Sequence, residues 1–248
     1  MNWVRCWGAI WCPLLAIGAF SAASSSERPA KIPEEVEVYS RSLVAFRTGA
    51  SHDLKLSDVL RLGEAAAGAL NGPDGVLENL SDADYAAVVA KMAGFVVRRI
   101  EVVWVEPDPN FFLKLARARG DRASVEFFDA YEQTVPGGMW SVYIQRQTDY
   151  SGCVSFGSLS LVATYRRWTA YRQRFHNRYT DEVANFIREV EEVLTRDTCA
   201  CEGKEAVLRE FGGFVHAFPS APITPRVRER MKRVADGETD IRFNCISG

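Results

Sequence analysis

The carboxy-terminal part of this chain carries four cysteines, Cys153, Cys199, Cys201 and Cys245, and they limit its folding more than any other feature. A bridge closing Cys199-Ala200-Cys201 on itself would be strained, because the two side chains sit too close along the chain. Cys153 and Cys245 are therefore each expected to take one member of that pair, in either of two arrangements. Both arrangements close loops of about 45 residues, worth about 4 kcal/mol each in the chain-entropy account of disulfides. The second half of the chain is thereby expected to be tied to its own tail.

Such bridges persist only in an oxidising compartment. The amino terminus is in keeping with this: Arg5 is followed by an apolar run from Cys6 to Phe20 and then by the small, polar stretch Ser21 to Ser26. This is the three-part plan of a secretory signal, with Ser21 and Ala23 at the subsites that favour cleavage after Ala23. Cleavage would remove Cys6 and Cys12 and leave an even number of thiols. The apolar run is too short to span a bilayer as a helix, and Trp11 before Cys12 does not fit a lipid-attachment motif. Residues 1–23 thus read as a signal peptide and 24–32 as a linker, and the mature protein is expected in the periplasm or secreted, with no permanent membrane span. A net charge of −2, with acids and bases intermixed, supplies no field towards nucleic acid. No metal or cofactor is expected: none of the three histidines lies near a cysteine, and no glycine loop suited to a phosphate is present.

The remainder divides into an N-terminal helical region over 33–135 and a C-terminal, disulfide-pinned helical-hairpin region over 136–248. Pro33 with Glu34 and Glu35 starts a helix to about Arg47, Ser57 opens a second to Leu70, and Ser81 with Asp84 starts a third. The run Phe95 to Val105 is dominated by β-branched residues and reads as a strand, with 141–145 or 241–245 as its partner. Asp108-Pro109 restarts helix, and Arg119-Gly120-Asp121 turns it into a hairpin. The fold class is mainly α, as stacked helical hairpins with a small appended β element near residues 95–105.

One internal regularity supports the stacking. Tyr165, Trp168, Tyr171 and Phe175 line one helix, a turn follows, and Val183, Ile187 and Val190 line the next. The pattern recurs about 43 residues later, with Leu208, Phe211, Phe214 and Phe218 and then Val227, Met231 and Val234. The segment Phe218-Pro219-Ser220-Ala221-Pro222-Ile223-Thr224-Pro225, continuing to Met231, resembles the inter-helix turn of tetratricopeptide-type hairpins in envelope-exported adaptor proteins. The resemblance implies partner binding by a stacked helical surface. It departs from that family in its longer spacing, its disulfides, and the missing tryptophan, leucine-glycine and tyrosine positions.

The common catalytic signatures are missing: there is no Gly-x-Ser-x-Gly and no His-Glu-x-x-His. His52, His176 and His216 read as solvated. Arg166, Arg167, Arg172, Arg174 and Arg178 follow one another without an intervening acid and are interleaved with aromatics. They could form the wet face of an amphipathic helix or a dock for an acidic partner. The leading expectation is an interaction module for an envelope protein or an anionic wall component. One alternative is a secreted hydrolase using a carboxylate pair, with Glu64, Glu101, Glu106, Asp108 and Asp149 as candidates. Another is an inhibitor or immunity-type protein presenting the loop 145–152.

Overall fold

The computed structural model describes residues 31–72, 76–99, 103–148, 151–196 and 198–245. The expected signal peptide, most of the linker, Glu101 and Asp149 lie outside the described residues. Among the described residues there are nine α-helices and six short strands. Helix α1 (Glu34–Thr48) follows Pro33 and ends at Gly49, whose φ of 73° lets its amide close on the last carbonyls. It packs as a hairpin with α2 (Leu56–Leu70). Helix α3 (Asp82–Lys91) starts at Ser81, whose hydroxyl accepts the Asp84 amide at 3.1 Å. This is the cap that the Ser-x-x-Asp spacing predicts.

The run from Phe95 forms two strands rather than one. Strand β1 (Phe95–Arg98) pairs antiparallel with β2 (Trp104–Pro107), in register from Phe95 opposite Pro107 to Arg98 opposite Trp104. The expected partners at 141–145 and 241–245 are not used. Pairing with the next stretch of chain closes the shortest loop and so orders the least backbone. Tyr39 and Tyr85 anchor the hairpin, donating to Ala93 O at 2.6 Å and to Val97 O at 3.1 Å. Gly63 permits the close approach of α2, since a Cβ there would lie 2.4 Å from the Phe95 ring.

Three further helical pairs follow: α4 (Pro109–Arg119) with α5 (Arg122–Glu132), α6 (Ser160–Arg174) with α7 (Thr180–Thr195), and α8 (Lys204–Ala217) with α9 (Thr224–Asp236). Packing of α6 on α8 and α7 on α9 sets like helix on like, which is a stack of hairpins. Of the stripes expected on α6 and α8, Tyr165, Trp168, Tyr171, Phe211 and Phe214 are buried and Phe175, Leu208 and Phe218 partly so. Trp168 is fully buried, stacks on Phe186 at 4.3 Å and donates its indole N–H to Thr134 Oγ1 at 3.0 Å. Phe127 of α5 stacks on Tyr179 at 3.9 Å, which carries a single apolar core across the junction between 33–135 and 136–248.

The remaining strands form the disulfide clasp. Strand β3 (Ile144–Arg146) pairs antiparallel with β4 (Gly152–Val154), and β5 (Thr198–Cys199) runs parallel to β6 (Ile241–Arg242). Cys153 is bonded to Cys201 and Cys199 to Cys245. Each outer cysteine thus takes one member of the Cys-x-Cys pair. No helix among the described residues is long and apolar enough to cross a membrane.

Candidate functional site: an acidic, aromatic-walled cleft

Four glutamates meet around a cleft of ≈ 300 Å³ between α2, β2, the end of α5 and α7. Glu64 comes from α2 and Glu106 from β2, two elements that pack on one another. Glu182 and Glu189 come from α7, seven residues apart and hence on one helical face about two turns from each other. Trp104, Tyr131, Phe186, Met139 and Val135 supply the apolar wall. Gly138 closes one side: with φ of 80° and a hypothetical Cβ only 2.6 Å from Pro107 O, it holds the segment after α5 against the end of β2.

Electrostatically the cleft is one-sided. Among the described residues that line it there is no Lys, Arg or His, and none of its four glutamates takes part in an ion pair. Burial, then the charges of Glu182, Glu106 and Asp181, push the Glu64 carboxyl up to about 7. Burial and Glu189 push Glu106 up to about 7 as well. Glu182 is raised by burial and by Asp181, against the pull of Arg61. Its place in the first turn of α7 also suits the helix dipole, so part of its role is local. Glu189 stands at the exposed rim and is raised by desolvation against the cleft wall and by Glu192, with Arg188 pulling the other way.

Tyr131 sits at the floor, 8 % exposed, with its ring edge-on to Phe186 at 5.0 Å. Among the described residues no hydrogen bond reaches its hydroxyl, and Glu106, Glu64 and Glu189 add to burial in raising its pKa. The Trp104 indole N–H is buried and also without a partner among the described residues. No group of three or more His, Cys, Asp or Glu among the described residues is arranged to hold a metal ion. The glutamates therefore ring the cleft instead of converging on a point.

The five arginines of α6 and the turn after it lie elsewhere, and three of them are engaged within the chain. Arg174 pairs with Glu126, Arg178 donates to Asp121 at 2.5 Å, and Arg167 donates to Gln133 at 3.1 Å, all on the α5 side. Arg166 lies over the Phe218 ring at 5.7 Å, and Arg172 is exposed. On α9, Arg230 is buried, donating to Asp240 and to Val193 O. Asp108 caps α4, accepting the Asn110 amide at 2.9 Å, and so is structural. His52, His176 and His216 are all exposed. Of the 145–152 segment, Gln145 and Arg146 belong to β3 and Gly152 to β4, and Gln147 donates to Cys245 O.

Of the carboxylate candidates, the structure brings together Glu64 and Glu106. Glu182 and Glu189 were not singled out by the sequence, although their seven-residue spacing on an amphipathic helix was a readable signal. A scan against protein-family models, a search of curated proteins and a search of solved structures each found no match to this chain.

Proposed function

We propose that the protein is an exported helical interaction module, and that the acidic cleft is where it holds a cationic group of an envelope or extracellular partner. The carrying observation is the absence of any basic residue from a lining that brings four glutamates together. Desolvated like charges raise one another's pKa, and an entering cation relieves that repulsion. The aromatic wall adds cation–π attraction in a site with restricted water. The disulfides fit an oxidising compartment, and the stacked hairpins fit the tetratricopeptide-type likeness of residues 218–231. This reading reverses the sign of the partner expected from the arginine run, because much of that run is engaged within the chain.

The sign of the linkage gives the test. A carboxyl whose pKa rises from 4.5 unfolded to about 7 folded leaves stability intact below the unfolded value and removes it as pH climbs through 7. Glu64→Gln and Glu106→Gln are each expected to raise stability at pH 8 by about 1–2 kcal/mol, after discounting for the half-open cleft. The gain should vanish below pH about 4.5. The same variants should bind a blocked Gly-Lys-Gly-Arg-Gly peptide at least about tenfold more weakly at pH 8, a loss of about 1.4 kcal/mol. Wild type should lose affinity similarly between pH 8 and about 5.5. Denaturant unfolding and isothermal titration measure the two effects. No wild-type binding at pH 8 contradicts the reading.

A carboxylate-pair hydrolase is the second reading, favoured by two carboxyls titrating near neutrality. It requires one of them to remain ionised while the other keeps its proton, whereas both are pushed the same way. Glycan hydrolysis abolished by Glu64→Gln would favour it over binding.

A further inference from the structure

We infer that the cation taken by the cleft is a guanidinium group, presented by an arginine side chain on a peptide segment of the partner; this rests on the cation site proposed above. Four features of the cleft bear on the choice. Its carboxylates are distributed, with Glu182 and Glu189 about 10 Å apart along α7 and Glu64 and Glu106 on two other elements. A compact ion meets few of them at once, and among the described residues no three acids gather closely enough to hold a metal. A guanidinium spreads its charge over a plane with five N–H donors and bonds carboxylates in a two-pronged fashion, so it can address acids on different walls.

The wall is the second feature. Trp104 lines the cleft and, among the described residues, stacks on no other ring. Phe186, by contrast, already covers Trp168. Guanidinium stacks on an aromatic face and is weakly hydrated, whereas an ammonium is a strongly hydrated point charge that a half-buried cleft strips at greater cost. Third, Tyr131 is more than nine-tenths buried at the floor and has a hydroxyl with no partner among the described residues. Its oxygen can accept an N–H from the ligand while its proton is donated to a neighbouring carboxylate.

Fourth, the charge around the cleft selects the source. A free amino acid would carry its own carboxylate towards Glu64, Glu106, Glu182, Glu189, Asp181 and Glu192, against which Arg61 and Arg188 compensate in part. A peptide-borne side chain brings the cation without that anion.

The test is isothermal titration of the full mature chain at pH 8 with three probes: a blocked Gly-Arg-Gly peptide, a blocked Gly-Lys-Gly peptide and free L-arginine. The arginine peptide is expected to bind at least about tenfold more tightly than either of the others, and Tyr131→Phe is expected to narrow its advantage over the lysine peptide. A lysine peptide that binds as tightly overturns the guanidinium assignment and leaves the cation site standing. Free arginine binding as tightly overturns the peptide source. If neither peptide binds a chain whose circular dichroism is native, both the inference and the cation site are overturned.

Discussion

Replacing Glu210 with alanine is expected to destabilise the protein by about 3–5 kcal/mol, among the largest single-residue effects in the chain. Glu210 lies on α8, fully buried, yet its partners belong to the start of α6. The amides of Gly157 and Leu159 donate to Oε2 at 2.9 and 2.7 Å, and those of Leu161 and Val162 donate to Oε1 at 3.1 and 3.4 Å. A helix leaves its first amides without intrahelical partners, and α6 has no side-chain cap of its own. Leu159, at the cap position, has φ of 61°, a left-handed conformation unfavourable to leucine. The carboxylate from α8 thus caps α6 across the hairpin stack and holds that turn in place. Glu202 assists one turn earlier, accepting from Ser155 Oγ and the Phe156 amide at 2.8 Å each. Alanine would leave buried amides without acceptors, whereas Glu210→Gln keeps one oxygen and should lose about half as much. Urea unfolding at pH 7 measures both. A loss below about 1 kcal/mol for alanine would show that water replaces the cap.

Removing the bridges is the second large effect. The bonds Cys153–Cys201 and Cys199–Cys245 span 48 and 46 residues and overlap only over 199–201. Their contributions should therefore nearly add, each up to about 4 kcal/mol. The double variants Cys153→Ser/Cys201→Ser and Cys199→Ser/Cys245→Ser should each lower the unfolding free energy by about 2–4 kcal/mol. Loss of both should release the β5–β6 pairing, since the tail is otherwise attached by a two-residue ladder and a few bonds such as the Cys245 amide to Ala200 O. Unfolding with and without reductant reads this directly. An unfolding midpoint insensitive to reductant would mean that the clasp contributes nothing.

The starts of the helices were legible because a cap is a local device. Ser81 with Asp84 and Asp108-Pro109 each act within one turn. The exclusion of a Cys199–Cys201 bridge was legible for the same reason. The choice between the two remaining pairings was not, since it depends on which strand approaches which. The β-branched residues over 95–105 marked extended chain but not its division into two strands that pair with each other, because residue types do not specify where a strand folds back. Glu210 reads in sequence as one more acid on an amphipathic helix, and its four donors are some 50 residues away.

The cleft shows the same division. Glu64 lies in an alanine-rich helix and Glu106 in a short strand, and nothing near either in sequence reveals the desolvation that raises both. The arginine run was conspicuous in sequence. Its acidic partners Glu126 and Asp121 belong to another hairpin, and only the packing of α5 on α6 brings them together.

The account rests on a cleft whose glutamates are desolvated and unpaired until a cation enters. Carboxyl-carbon NMR of Glu64 and Glu106, assigned through their glutamine variants, tests this most directly. The expected midpoints lie at about 7 in the free protein and fall towards the ordinary glutamate range when the arginine peptide is added. Midpoints near 4.5 in the free protein, unmoved by the peptide, would contradict it.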